Sequence, residues 1–241
     1  MITVTIDGPA AAGKSTVARL LAQRFGFALL DSGALYRALA LHFIRCGISP
    51  DARSIPEATL DSLDLRIEPA VGSMKIFLGS QDVTGLIREE SVGEAASRFS
   101  AKPEVRKLLL KIQRGAGLQW NLVAEGRDMG TVVFPDAQVK FFLTADPRER
   151  SKRRYLEVTE RGANSDFKKI DAEMRRRDHR DESRGTSPLV KPESAMIVDT
   201  TGLNPDEVVD LMASKIAESL ASGRTAPPKP PINRSGSRKH D

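Results

Sequence analysis

Asp7-Gly8-Pro9-Ala10-Ala11-Ala12-Gly13-Lys14-Ser15-Thr16 decides how the rest of the chain is read. It holds Gly-x4-Gly-Lys-Ser, the pattern of a phosphate-binding loop. Upstream, Ile2 to Ile6 is β-branched throughout and apolar except for two Thr, which predicts a buried strand. Downstream, Val17, Leu20, Leu21 and Phe25 recur at helical spacing with basic residues between them, which predicts an amphipathic helix over 15–25. Gly8 and Gly13 lack a Cβ and permit unusual φ and close backbone approach. Successive N–H groups can then wrap an anion, aided by the helix dipole. In such a loop Lys14 reaches the β- and γ-phosphates and Ser15 offers its hydroxyl to Mg²⁺. A glycine turn that merely joins strand to helix would share the letters, but the flanking elements fit the phosphate loop.

Working outward, the 241 residues suffice for one α/β domain with an insertion or a small second lobe. A composition of 40% hydrophobic and 29% charged residues is that of a soluble globular chain. No apolar run approaches the ~20 residues of a membrane helix, and no charged-then-apolar leader precedes the first strand. The single cysteine, Cys46, excludes an intramolecular disulfide and reads as a packed small residue on a helix. These features predict a cytoplasmic protein. With three His and one Cys, no metal-cage spacing exists. The net charge of +5 comes mostly from Arg224, Lys229, Arg234, Arg238 and Lys239 against Asp241 in the Pro-rich segment 223–241. That segment offers no apolar surface to bury and is expected to be disordered. No basic face for nucleic acid is expected on the fold.

Along the chain, 27–30 reads as a strand and 34–45 as a helix stopped by Gly47. Ser32, Tyr36 and Arg37 fall just past the strand's carboxyl end, where open α/β sheets bind ligands. Ser54-Ile55-Pro56-Glu57 reads as a capping box opening a short helix to about Leu63. Alternating short strands follow at 65–68, 74–78 and 82–83, a small antiparallel insertion. Two helices are predicted over 91–100 and 103–119, carrying Ser97 and Arg106. Leu122 to Ala124 is a core strand that runs into Glu125-Gly126-Arg127-Asp128-Met129-Gly130. A carboxylate there can meet a nucleotide's Mg²⁺ shell, and an arginine can meet phosphate. After a strand at 139–143, the arginine-dense helix from Asp146 can be a solvated face or, near a polyphosphate, a closing lid. In the next helix, 166–182, Arg177, Asp181 and Arg184 share one face if the helix continues. A last strand, 195–198, and a last helix, 204–220, complete the fold.

From Ile2 to about Leu220 the chain resembles the bacterial-type cytidylate kinases, in the nucleoside monophosphate kinase group of P-loop proteins. The resemblance rests on the phosphate loop, on Leu30-Asp-Ser-Gly-Ala-Leu-Tyr-Arg37, on Glu125-Gly-Arg-Asp-Met-Gly-Thr-Val-Val-Phe-Pro-Asp136, and on Arg177-Asp-x2-Asp-x2-Arg184. The second and third of these stretches are far more specific than the loop. The resemblance implies a kinase domain over 1–222 with three parts: a parallel-sheet core, a monophosphate-binding lobe at about 33–119 that includes an antiparallel insertion at about 63–90, and a helical lid at about 148–165. It implies ATP on Gly8, Pro9, Ala10, Ala11, Ala12, Gly13, Lys14, Ser15 and Thr16, with Arg153. It implies CMP on Ser32, Tyr36, Arg37, Ser97, Arg106, Arg127, Asp128, Arg177, Asp181 and Arg184. Of these, Ser97, Arg106 and Asp128 face the cytosine and Asp181 the ribose, while Arg37, Arg127, Arg177 and Arg184 surround the phosphates. Lys14, Arg127, Arg177 and Arg184 are implied to be catalytic, and Mg²⁺ to lie on Ser15 and, through water, Glu125. A monomer is expected.

Two departures from the family pattern bear on this. Ala10-Ala11-Ala12 stands where many relatives have another Gly or Ser, which is tolerable only if Ala11 needs no positive φ. Glu182 adds an acid beside the arginine cluster. The expected activity is transfer of the γ-phosphoryl of ATP to CMP or dCMP. The rivals are a kinase for another monophosphate such as UMP, and a P-loop module that binds nucleic acid or a partner without transferase activity.

Overall fold

The computed structural model describes residues 1–160, 162 and 166–221. The expectation of disorder over 223–241 lies outside the described residues, as do residues 161 and 163–165 of the expected lid. The first strand, β1 (Thr3–Asp7), is buried at every position, and the loop turns directly into α1 (Lys14–Phe25). β2 (Ala28–Asp31) leads into α2 (Ser32–Arg45), whose N-cap Asp31 accepts a hydrogen bond from the Ala34 amide at 2.8 Å. The short α3 (Glu57–Asp61) precedes three small strands, β3 (Leu65–Ala70), β4 (Ser73–Leu78) and β5 (Gln81–Asp82). Then come α4 (Glu90–Phe99), α5 (Pro103–Gly117), β6 (Leu122–Glu125), β7 (Val139–Thr144), α6 (Pro147–Glu160), α7 (Phe167–Ser183), β8 (Met196–Asp199) and α8 (Pro205–Ala221).

Five strands form one wholly parallel sheet in the order β2-β6-β1-β7-β8. Parallel strands need crossover helices, which cover both faces, so the central strands are apolar on both sides. Leu30, Leu122 and Ala124 pack with α2, α4 and α5 on one face, while Val4, Ile6, Val123 and Phe141 pack with α1 and α8 on the other. β3, β4 and β5 form a separate antiparallel sheet in which β3 alternates half-buried and exposed positions, as one-sided burial requires. It rests on the α2 side through Met74 and Ile76. The edge-to-face pair of Phe43 and Phe99, centroids 5.0 Å apart, locks α2 to α4. Among the described residues no helix is long and apolar enough to cross a membrane.

Four local expectations are corrected. Ser54 caps nothing: the N-cap of α3 is Pro56, with no side-chain bond, because the Ile55 amide is drawn to Glu104 Oε1 on α5 at 3.2 Å. Cys46 is exposed rather than packed, since it is the C-cap of α2 and lies past the buried stripe. Arg184 is not on the helix face, because α7 ends at Ser183 and Arg184 takes an extended conformation with ψ 139°. Ala11 has φ +56°, so the loop is built with a positive φ at a non-glycine residue. The short π-helical turn Met129–Val133 that follows the Glu125–Asp128 cluster had no sequence signal.

Candidate active site

The carboxyl ends of β1, β2 and β6 bring three stretches to one edge of the sheet. At the first, the loop fits only because residue 8 is glycine. A Cβ there would lie 2.0 Å from the Leu143 carbonyl oxygen of β7, at φ +146°. Gly13, at φ +87°, ends the loop and begins α1. Lys14 is buried, and its Nζ donates to the Pro9 carbonyl at 2.7 Å. Burial, reinforced by the Arg127 guanidinium, lowers its ammonium to about 7. Ser15 Oγ donates to Glu125 Oε1 at 2.5 Å. Burial, then the Asp31 carboxylate, raises Glu125 to about 7.

Ser32, Tyr36, Arg37, Ser97, Arg106, Arg127, Asp128, Arg177, Asp181 and Arg184 all line one cavity, and Lys14, Ser15 and Glu125 line it with them. Elements distant in the chain supply it: α2, α4, α5, the turn after β6, and α7. Arg106 and Asp128 form a buried ion pair at its wall, and Arg106 Nη1 also donates to the Ser100 carbonyl at 3.1 Å. Arg127 Nε donates to Asp181 Oδ2 at 2.9 Å, while Arg184 stands 3.6 Å from the other carboxylate oxygen. Burial opposes the Asp181 charge, yet Arg127, Arg177 and Arg184 hold its carboxyl below the ordinary range. Arg177 is pushed down to about 10 by burial and by Arg127. Glu182 points to solvent and leaves the cluster alone. Arg37 is braced by the Ile87 and Glu89 carbonyls at 3.1 and 3.2 Å. Three guanidinium nitrogens in this wall, Arg106 Nε, Arg177 Nε and Arg184 Nη2, are buried with no hydrogen-bond partner among the described residues. Buried donors seldom stay unpaired, so the cavity is short of acceptors.

A second cavity opens on the other side of the loop, along Gly13 to Val17 and against Thr200, Leu203 and Val208. Arg153 lines it, with Nη1 and Nη2 on the Thr200 hydroxyl and carbonyl at 2.9 and 2.6 Å. Lys14, Ser15 and Ala11 line both cavities.

The sequence reading missed three supports. Asp7, fully buried, accepts from the Met129 amide at 2.8 Å and the Gly130 amide at 2.7 Å, joining the start of the loop to the turn that carries Asp128. Burial raises its carboxyl to about 6 despite those two amides. Arg150 donates to the Ala10 carbonyl at 3.1 Å and pairs with Asp178 at 2.6 Å, bracing the loop from α6 and α7. Arg180 reaches Ser97 across the cavity's rim. Asp7 begins the loop motif itself, which was the available signal; the two arginines sit in stretches so basic that no letter distinguishes a buried one.

A wholly parallel sheet with this loop at its central strand, beside a charged cavity fed by a helical lobe, defines a P-loop kinase, a phosphotransferase. Matches across the length of the chain carry the assignment further. A family model described as cytidylate kinase matches residues 4–218. A cytidylate kinase of Pasteurella multocida is 45% identical over 219 residues, covering 91% of this chain and 96% of that protein. Those of Carboxydothermus hydrogenoformans and Mannheimia succiniciproducens are 46% and 42% identical, covering 86% and 91% of this chain and 93% and 97% of their own lengths. The chain belongs to the cytidylate kinase family.

Proposed function

We propose that the chain transfers the γ-phosphoryl group of ATP to CMP or dCMP, giving ADP and CDP or dCDP. The observation that supports this best is the cavity beside Lys14, where three unpartnered buried guanidinium donors stand with a buried Arg106–Asp128 pair. A nucleoside monophosphate supplies what that wall lacks: phosphate oxygens for the arginines, and a base edge for the pair. Asp128 accepts from an exocyclic amine, as on cytosine, and faces a carbonyl, as on uracil, unfavourably.

In this reading the second cavity takes the donor nucleotide, with Arg153 on its rim, and the loop takes the donor's phosphates. Lys14 leaves the Pro9 carbonyl for the β- and γ-phosphates. Arg37 and Arg184 hold the acceptor's phosphate, while Arg127 and Arg177 balance charge on the transferring group. Asp181, kept ionised by its arginines, accepts from the sugar hydroxyls. No strong base is needed, because the acceptor is already an anion. The part of α6 from Arg148 to Glu160 closes over the site and keeps water from taking the phosphoryl group.

Mg²⁺ fits the residues present. Ser15 Oγ and Glu125 Oε1 are hard oxygen donors side by side at the loop's mouth. Among the described residues no three or more His, Cys, Asp or Glu side chains gather as a cage, which suits a cation shared with phosphates and water. When bound, it neutralises charge on the β- and γ-phosphates. Turnover with CMP, dCMP, UMP and AMP in parallel tests the whole reading. CMP and dCMP are expected to dominate; equal or greater efficiency with UMP or AMP would overturn it, as would oligonucleotide binding without ADP production.

A further inference from the structure

We propose that Arg180 is a positioning residue that biases the Ser97 hydroxyl toward donating, and so favours one base edge over another in the acceptor cavity. The inference rests on the reading of that cavity as the CMP site. Ser97, on α4, lines the cavity; Arg180, on α7, does not. Arg180 Nη1 nevertheless reaches across and donates to Ser97 Oγ at 2.6 Å.

The chemistry of the two groups carries the argument. A serine hydroxyl is ambivalent: it donates one proton and accepts through lone pairs, and its rotor turns to suit the neighbour. A guanidinium has only N–H donors, no acceptor, and keeps its proton at every accessible pH. The Ser97 oxygen can only accept from Arg180. The hydroxyl proton must point elsewhere, and among the described residues no protein group takes it. Ser97 thus offers a ligand its proton and one remaining lone pair, and the guanidinium on the other lone pair polarises the O–H toward donating. Arg106, in the same wall, adds guanidinium N–H groups, and Asp128 supplies the acceptor. The wall therefore carries two donors and one acceptor, and Arg180 biases one of the donors in that sense. Cytosine offers acceptors at O2 and N3 beside a donating amine, whereas uracil carries a proton on N3. A free Ser97 rotor could turn and accept from that N3–H. With Arg180 on one lone pair, the remaining one would receive that N–H on an oxygen a cation already draws on, so uracil is disfavoured here by charge, independently of Asp128.

Arg180→Met removes the donor, and Arg180→Lys keeps a group that only donates. The readout is the ratio of kcat/KM for CMP to kcat/KM for UMP, with thermal melts to check folding. Arg180→Met is expected to lower the ratio about five- to tenfold, the scale of one ordinary hydrogen bond, and Arg180→Lys to hold it within about twofold. In a Ser97→Ala background, adding Arg180→Met is expected to leave the ratio where Ser97→Ala put it. An unchanged ratio in Arg180→Met, with both substrates slowed alike or not at all, would show only a brace between α7 and α4 and overturn the inference. So would a full drop that persists without the Ser97 hydroxyl. A wild-type chain that prefers another monophosphate overturns the reading beneath; a wild-type CMP preference that survives Arg180→Met overturns this inference alone.

Discussion

The two cavities flanking the phosphate loop are made of different material. One is walled by side chains from elements scattered along the chain, from α1 to α7, and carries buried ion pairs, Arg106 with Asp128 and Arg127 with Asp181. The other is walled by the loop's own backbone and by apolar positions such as Leu203 and Val208, and its one arginine is spent on Thr200. Buried charge is costly, and where it is kept, its return is discrimination: a ligand of the wrong polarity leaves the pair unmatched. On the proposed function, the first cavity chooses among acceptors and the second takes the donor nucleotide. Lys14, which lines both, joins them.

That division ranks the effects of substitution. Lys14→Ala strikes both cavities and should do the most damage. It removes the one ammonium aimed between them, and a rate loss of at least ~100-fold is expected, the scale of a lost preorganised charge-stabilising group. The fold should survive, because among the described residues the ammonium's only protein bond is to the Pro9 carbonyl. Steady-state kinetics with circular dichroism checks this; near-normal turnover by a native fold would mean that the loop does not hold the donor.

Asp128→Asn strikes the choosing cavity alone. The amide can donate as well as accept. The CMP-to-UMP efficiency ratio should fall by roughly tenfold or more, while the KM for ATP stays near its wild-type value. If both acceptors suffer equally and the melting temperature drops, Asp128 only props the turn that Asp7 holds from below, and the contrast between the cavities loses its meaning.

The same contrast explains what could be read in the letters. The loop is a local object: strand, turn and helix are contiguous, and hydrophobic spacing around Gly-x4-Gly-Lys-Ser located all three. The choosing cavity is assembled over long range. Arg106 and Asp128 meet across 22 residues and two elements, and no spacing rule joins them; they came from the resemblance. Arg150 and Arg180 went unremarked because 148–154 and 175–184 are both dense in arginine, and only the packing of α6 and α7 decides that Arg150 is buried while Arg148 and Lys152 are wet. The capping box failed for a related reason. Ser54 has the right letter, but the Ile55 amide is taken by a glutamate 49 residues away.

The smallest effect tests the loop's own construction. Ala11 lines both cavities but offers neither of them a functional group, and it sits at φ +56°. A Cβ in the left-handed region costs roughly 1–2 kcal/mol. Ala11→Gly removes that strain and also loosens the unfolded chain, which returns about 0.4–1 kcal/mol against the gain. The strain term is the larger, so a net stabilisation of about 1 kcal/mol or less is expected, a rise of roughly 2–4 °C at most for a chain of this size. Turnover and the CMP-to-UMP ratio should barely move, because the loop amides keep their directions. Differential scanning calorimetry beside kinetics reads both. A lower melting temperature would mean that Ala11 is not strained in solution and that the loop relaxes to a negative φ there. A large fall in turnover with a raised melting temperature would carry a different lesson: the methyl group of Ala11 stiffens the wall the two cavities share, and the loop keeps its strain because an unstrained residue would let that wall move.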